Sequence, residues 1–319
     1  MRVNLGIKLV ISHLGMGIIP LLLISWLLWI TSSNSLEMVT QQGISAVEDA
    51  AHDQLKTMCQ LKENQILSFF KGMVGQLHSV TNNPWTLQVI NSLNRTFIES
   101  DSATDFTAWQ NLVRNHDALF LEFCTSFEWQ DIFLINSQGD IVYSLGKGSE
   151  LGLSLHRSPL RQSSLGQAFA HLQTDTTLEI AFGDYAPYVP LRNAPAAFLV
   201  IRIKDAKQEA VYIAVQISAA AIKSMMRTAS NKKNALEAYL VGSDGYMRSD
   251  SVLNPEDYSI AASFRLGNQV NTKASRDALN GETGAGLITD YLGNRVLSSW
   301  MLIDIFTTRW ALICDIHEA

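Results

Sequence analysis

The chain has few of the residues that build stapled or metal-bound scaffolds. It contains three cysteines and seven prolines among 319 residues. Cys59, Cys124 and Cys314 lie far apart, and no Cys-x-x-Cys pair occurs. This spacing argues against a structural zinc site, a thioredoxin-type redox pair and a disulfide-rich scaffold. We expect buried free thiols and leave open one bridge between Cys124 and Cys314.

Charge is also scarce. Charged residues make up 17% of the chain, and the net charge at pH 7 is −6. Hydrophobic residues make up 47%, which is enough to bury a core and excludes a largely disordered chain. A nucleic-acid-binding protein needs a basic face, so no nucleic-acid partner is expected.

The sequence also lacks the motifs that mark common enzyme classes. It has no Gly-x-Ser-x-Gly elbow, no His-Glu-x-x-His, no phosphate-binding Walker loop and no Gly-x-Gly-x-x-Gly. Its seven histidines do not fall at the spacings of metal ligands. We therefore expect no catalytic activity, no cofactor and no bound metal.

One long apolar run stands near the N-terminus. Leu9–Ile30 carries no formal charge and has the length that a bilayer core demands. Arg2 and Lys8 precede it, and the first acidic residue is Glu37, so the positive-inside rule places the N-terminus in the cytoplasm. The alternative, a cleaved signal peptide, is disfavoured because no small-residue cleavage site follows. We expect residues 1–34 to be a cytoplasmic stub and a single transmembrane anchor.

The next part of the chain has helical periodicity. Apolar residues recur every three or four positions from Ser35 to Asn82, which predicts one long amphipathic helix. A second helical region is predicted from Asp105 to Phe127. The long helix can bury one stripe on its own domain and, near the membrane, pair with a second copy. We expect a weak homodimer through this helix.

From residue 128 onward the pattern is that of strands. Ile132–Ile135 and Ile141–Ser144 flank a turn at Gly139, which predicts a hairpin. A similar pattern returns at Tyr239–Ser249 with Gly245 in the turn. Positive φ angles at such turns favour glycine.

Two landmarks repeat at one offset. Phe133 and Tyr239 are 106 residues apart, and so are Asp184 and Asp290, each of which precedes a tyrosine. A common offset predicts a tandem duplication of a small α/β module. We place the first module at 128–227 and the second at 235–319, with 35–127 as the long helix and helical region.

The repeated segments resemble a known family. The stretches DIFLINSQGDIVYS, FGDYAPYVP, YLVGSDGYMRSDS and GETGAGLITDYLGN are similar to the double Cache (tandem PAS-like) extracytoplasmic sensor regions of bacterial methyl-accepting chemotaxis receptors and related sensor kinases. The resemblance implies an α+β fold, in which a long N-terminal helix, preceded by one transmembrane helix, carries two PAS-like antiparallel-sheet modules. The family continues into a second membrane span and a cytoplasmic signalling coil, which this sequence lacks.

The resemblance also implies a function and a location. We expect a sensor in the bacterial inner membrane, with the bulk of the chain in the periplasm, that binds a small polar organic ligand for transmembrane signalling. Its output domain would be absent from this chain. The alternative is a truncated or accessory Cache-domain protein that acts through a partner receptor or a binding protein.

The expected ligand site lies in the first module, which the resemblance makes the membrane-distal one. Asp184, just ahead of a Tyr/Pro loop, suits a ligand amine, although it could instead cap the loop. Arg161 could meet a carboxylate or be merely exposed. Four aromatic residues are candidate pocket walls, with ordinary core packing as the alternative: Tyr143, Tyr185, Tyr188 and Phe198.

Overall fold

The computed structural model describes residues 5–99, 107–204, 210–227 and 236–317, and within them not the side chains of 5–20, 33–48 and 108. The chain divides into two compact units, Met1–Gln54 and Leu55–Ala319.

Helix α1 begins at Leu5 and ends at Thr81, which confirms the long helix predicted over 35–82. Within the described part of the chain, no helix is both long enough and apolar enough to cross a membrane. The predicted anchor, Leu9–Ile30, falls partly outside that part, because the side chains of 5–20 are not described. The side chains of 33–48, where most of the predicted pairing of two copies would occur, are also not described.

In the second unit, α1 buries one stripe of side chains. The buried residues recur at steps of three, four and seven, which keeps them on one face of the helix: Leu55, Cys59, Ile66, Phe70, Met73, Leu77 and Val80. This face packs into the core of the unit, as the periodicity of the sequence predicted.

Two shorter helices follow, and the first was missed from the sequence. Helix α2 spans Pro84–Glu99 and α3 spans Thr107–Phe127. The helical pattern predicted for the long helix stops at Asn82, and Pro84 follows it at once; a proline is well suited to the first turn of a new helix. The side chain of Asn83 accepts a hydrogen bond from the backbone N–H of Trp85 (2.9 Å), which helps α2 begin at once.

The first module contains a five-stranded antiparallel sheet. Its strands are β1 Asp131–Ile135, β2 Ile141–Ser144, β3 Ile180–Tyr188, β4 Ala194–Lys204 and β5 Ala210–Gln216, in the order β2-β1-β5-β4-β3. Helix α4, Ser164–Thr174, connects β2 to β3 and packs against β3 and β4. Leu165, Ala168, Phe169 and Leu172 of α4 enter the apolar core on that face of the sheet.

The second module contains a four-stranded antiparallel sheet. Its strands are β6 Leu236–Gly242, β7 Gly284–Thr289, β8 Arg295–Ile305 and β9 Thr308–His317, in the order β6-β9-β8-β7. Helix α5, Ala219–Met226, precedes it. Three short helices lie between β6 and β7: α6 Pro255–Tyr258, α7 Ile260–Leu266 and α8 Lys273–Leu279.

The two sheets share one topology, which supports the inferred duplication. The order β1-β5-β4-β3 of the first sheet corresponds to β6-β9-β8-β7 of the second, and a helix precedes each of the equivalent edge strands, α4 before β3 and α8 before β7. Gly139 and Gly245 have the same φ of 81°, and each donates its N–H to the carbonyl three residues earlier. The predicted α+β fold with two antiparallel sheets is confirmed; the exact module boundaries remain a prediction.

The aspartate landmarks are not structurally equivalent, although the sequence offset matched them. The β3–β4 hairpin closes at the pair Tyr188–Ala194, and Asp184 lies inside β3, at its irregularity between Gly183 and Ala186. The β7–β8 hairpin closes at Thr289–Arg295, and Asp290 is the first residue of its turn. The carboxylate of Asp290 accepts hydrogen bonds from backbone N–H groups of this turn.

The three cysteines are free and buried, as the sequence indicated. The partner considered for Cys314 was Cys124, but the sulfur that lies beside it is that of Cys59.

A close approach between β3 and α4 gives a first prediction. A Cβ added at Gly183 would lie 2.3 Å from the backbone oxygen of Ser164, in the first turn of α4. Gly183→Ala should therefore lower the free energy of unfolding by about 1–3 kcal/mol, because backbone has to shift to admit the methyl group. Urea unfolding of the purified chain measures this.

The matched control is Gly286→Ala on β7, where an added Cβ meets no atom within 4 Å. Its effect should stay within about 0.5 kcal/mol. Equal destabilisation by the two substitutions would contradict the assigned contact between β3 and α4.

Candidate functional site

A cleft lies where the two modules meet within the second unit. It has a volume of about 440 Å³. The first module contributes residues of α4 and β3, including His171, Phe182 and Asp184; the second contributes the turn after β6 and the β8–β9 turn. We call this space the module cleft. Groups of both charge signs line it, so it can hold a polar molecule.

Arg248 links the two modules at the floor of the cleft. Its side chain, which follows β6 in the second module, is 2% exposed. Nε donates to Asp184 Oδ1 (2.8 Å), Nη2 to Asp244 Oδ2 (2.9 Å) and Nη1 to the backbone oxygen of Tyr246 (3.0 Å). Burial by itself would lower the pKa of Arg248, but the carboxylates of Asp184 and Asp244 outweigh it and hold this pKa above its usual value.

The backbone around Arg248 is adapted to this position. A Cβ at Gly242 would lie 2.3 Å from Cζ of Arg248, so only glycine lets the guanidinium pass across the end of β6. Cζ also lies 5.4 Å from the centre of the Phe264 ring, at cation–π distance. Arg248 is not among the site residues predicted from the sequence, because nothing in the local pattern shows that its partner is 64 positions away.

Asp184 therefore already has a cationic partner inside the protein. Its carboxylate accepts from Arg248 and from the backbone N–H of Tyr185 (2.7 Å), while 18% of its side chain remains exposed. A ligand amine that reaches Asp184 has to share this carboxylate with Arg248.

The other predicted site residues are not gathered around the cleft, apart from Tyr185. Tyr188 and Phe198 pack against each other in the core of the first module, with ring centres 5.1 Å apart. Tyr143 faces the opposite side of the sheet, where its hydroxyl donates to Asp117 Oδ1 (2.9 Å) and its ring lies 4.6 Å from that of Phe120. Arg161 is exposed. Ligand contacts by these four residues remain a prediction.

A second cavity, of about 670 Å³, lies between the end of α1 and the ends of β4 and β5. One of its cations, Arg202, is engaged with backbone oxygens of Leu172, Thr176 and Leu178 at 2.6–2.7 Å, at and just beyond the end of α4. Two of its lining residues, Lys204 and Ala210, are the last and first described residues on either side of 205–209. The module cleft is bounded by described residues and is the better candidate.

The cleft is connected to α1 through one aromatic cluster. Phe182, which lines the cleft, lies 5.3 Å from Phe70 of α1 between ring centres. Phe70 also contacts Trp310 of β9 (5.8 Å) and Phe306 of the β8–β9 turn (6.2 Å). A change at the cleft thus has a direct packing route to the long helix.

Buried carboxylates form a separate feature of the second module. Asp315 on β9 is fully buried, and its Oδ2 accepts a hydrogen bond from the hydroxyl of Tyr239 (3.0 Å). Burial raises the pKa of Asp315 to about 7. Glu237 is equally buried and accepts from Ser251 and Tyr291. Among the described residues, no group of three or more His, Cys, Asp or Glu side chains is arranged to hold a metal ion.

The fold is that of extracytoplasmic ligand-binding sensor domains, which confirms the resemblance to Cache-type sensors. No protein-family model and no curated protein matches the sequence. Similar solved structures include the periplasmic sensory domain of the Campylobacter jejuni chemoreceptor Tlp1, with a TM-score of 0.50 and 13% identity over 84% of this chain and 95% of that one. The extracellular ligand binding receptor from Desulfohalobium retbaense DSM5692 has a TM-score of 0.50 and 14% identity. That match covers 82% of this chain and 40% of the receptor. At these identities the likeness concerns the fold alone.

The Arg248–Asp184 pair predicts a stability effect. Asp184→Asn should lower the free energy of unfolding by about 1.5–3 kcal/mol, since it removes the charge from one of two carboxylates that hold a buried guanidinium. The control is Asp304→Asn, whose partner Arg309 is 3.5 Å away and whose side chain is 64% exposed. That change should cost on the order of 0.5 kcal/mol or less. Similar losses in denaturant unfolding would argue against a special role for the Arg248 pair.

The raised pKa of Asp315 predicts a pH effect. Between pH 4 and pH 7 the folded protein holds a proton on Asp315 that the unfolded chain releases, so this group makes the free energy of unfolding fall as pH rises. The slope for one such group approaches about 1.4 kcal/mol per pH unit. Asp315→Asn should flatten the fall measured by denaturant unfolding at pH 5, 6, 7 and 8. Asp304→Asn should leave the profile unchanged, and a wild-type slope in Asp315→Asn would contradict the assignment.

Proposed function

We propose that this chain is the ligand-sensing region of a membrane receptor, and that a small polar organic molecule binds in the module cleft. The single observation that carries the proposal is the cleft itself, where charged groups from both modules meet around the Arg248–Asp184 pair. Its volume lies within the range of roughly 300–1,000 Å³ that is usual for small-molecule sites. The role is that of a sensor rather than an enzyme.

The charges favour a ligand that carries both an amine and an acidic group. An amine alone would compete with Arg248 for Asp184 and weaken the pairing of a buried guanidinium, which is costly. A ligand that also brings an anionic group can give Arg248 a replacement partner while its amine meets Asp184 or Asp244. All buried charges then remain paired.

The proposed signal is a shift between two arrangements of the modules. A ligand that binds one arrangement more tightly increases its population, within the limit of that difference in affinity. Because Phe182 of the cleft packs on Phe70 of α1, a change in the cleft alters the packing of the helix. The helix would transmit the change to an output domain or to a partner receptor.

The proposed location is the bacterial inner membrane, with one span, the N-terminus in the cytoplasm and the bulk of the chain in the periplasm. Residues Leu21–Leu23 and Trp26–Trp29 support an anchor, because these apolar side chains lie around the helix and are between 49% and 69% exposed. A helix that is apolar on all sides needs a nonpolar environment. Weak pairing of two copies through the first part of α1 belongs to the same proposal.

The test is a thermal-stability screen of the purified chain against amino acids, organic acids and amines. A ligand that binds only the folded state adds about 2.7 kcal/mol of stability at a hundredfold excess over its Kd. For an amine-bearing hit, Asp184→Asn should weaken binding at least about tenfold by calorimetry at a temperature where the variant is folded, because the loss of a charge-assisted contact costs more than about 1.4 kcal/mol.

Asp290→Asn is the matched control. Asp290, like Asp184, directly precedes a tyrosine, but its carboxylate accepts hydrogen bonds within a turn that lies away from the cleft. It should bind the hit with nearly unchanged affinity. An unchanged affinity in Asp184→Asn would remove the module cleft as the site, and the absence of any stabilising compound would favour an accessory role through a partner protein.

A further inference from the structure

Two cysteines from distant parts of the chain meet in the core of the second unit. Cys59 lies on α1 and Cys314 on β9, 255 positions later, and their sulfurs are 2.6 Å apart. Both residues are fully buried. A disulfide bond measures about 2.0 Å, so a small side-chain rotation separates the present contact from bonding distance.

Both cysteines are held by regular structure. Cys59 belongs to the buried stripe of α1, and its sulfur also donates to the backbone oxygen of Ser299 on β8 (3.4 Å). Cys314 lies in the central strand pair of the second sheet, opposite Ala238 on one side and Ser299 on the other. Helix and sheet thus present the two sulfurs to each other with no side chain between them.

The third cysteine is an internal control. Cys124 lies on α3, where burial, together with the charge of Asp131 in the first module, raises the pKa of its thiol to about 12. Among the described residues, the sulfur of Cys124 contacts neither of the other two cysteine sulfurs. Burial also raises the pKa of Cys314 well above its ordinary value, so what sets Cys124 apart is the lack of a sulfur beside it and not its pKa.

We propose that Cys59 and Cys314 form a native disulfide when the chain folds in an oxidising compartment, joining α1 to β9. Because both sulfurs are buried in the folded protein, exchange takes place while the chain is still open. One cysteine thiolate attacks the disulfide of a thiol–disulfide oxidoreductase or of oxidised glutathione, forms a mixed disulfide and releases one thiolate of the oxidant. The second cysteine thiolate attacks the mixed disulfide and releases the other, so two electrons pass to the oxidant and two protons leave the cysteines.

The bond would fix the position of α1 on the second sheet. Cys59 lies three helical turns before Phe70, where α1 meets both modules. Sliding of the helix along β9 is then prevented at Cys59, so the helix and the second sheet keep their register there when the packing around Phe70 changes. The bond itself does not require ligand binding, so its test is independent of the proposed function.

The test is a count of free thiols in the refolded full chain. The purified chain is reduced and unfolded, refolded in a glutathione redox buffer with detergent, quenched with acid and labelled in denaturant with a maleimide carrying a 5 kDa polymer. The wild type should take one label, Cys124→Ala none, and Cys59→Ala and Cys314→Ala two each. Mass spectrometry of unreduced peptides should find Cys59 joined to Cys314.

Three labels on the wild type, or a bridge that includes Cys124, would overturn the proposal. A second measurement covers variants that fold poorly. Reduction should lower the melting temperature of Cys124→Ala by at least about 5 °C, because the bond closes a very long loop. It should leave Cys59→Ala unchanged. A melting temperature of oxidised Cys124→Ala that does not fall on reduction would show that the bond does not fit the native fold.

Discussion

The packing of Phe70 between the two modules is the constraint on which the rest of the second unit depends. One ring on α1 contacts Phe182 of the first sheet and Trp310 of the second. Aromatic side chains bury large areas and prefer definite ring geometries. This contact therefore fixes the position along the helix at which both sheets pack. The module cleft exists because β3 and the β8–β9 turn are brought together at this position.

The Arg248–Asp184 pair acts on the same junction in a different way. The aromatic contacts position both sheets on the helix, whereas the hydrogen bond from Arg248 to Asp184 links the two modules directly, and two further hydrogen bonds within the second module orient the guanidinium. The desolvation of a 2%-exposed guanidinium costs free energy that only well-placed carboxylates offset. Removal of one partner should therefore cost more free energy than the intact pair contributes to net stability.

Periodicity and turn chemistry were enough to predict the long helix, the second helical region and the turns of the two modules, but not every helix and not the pairing of side chains across the fold. The amphipathic stripe of α1 and the turn glycines Gly139 and Gly245 are local signals, and the structure has them where the sequence indicated. Helix α2 was missed because Pro84 fits both the end of one helix and the start of the next. Asp184 and Asp290 are not equivalent, because β3 is paired along a longer segment of its hairpin than β7. A constant offset in the sequence does not reveal this difference. Arg248 could not be found, since its role depends on a contact between modules.

The contacts that α1 makes in the second unit differ along its length. Around Cys59 the helix lies against the central strands of the second sheet, where the described side chains from Leu55 to Cys59 that face inward are apolar and fully buried. Around Phe70 the helix instead lies at the junction of the two modules, beside the cleft. The polar link of this junction, Arg248, would exchange partners at a modest free-energy cost if a ligand supplied new ones. A tightly packed core changes arrangement as a unit or not at all. We therefore expect a change of arrangement to cost least at the junction around Phe70, while the segment of α1 at Cys59 stays packed on the second sheet.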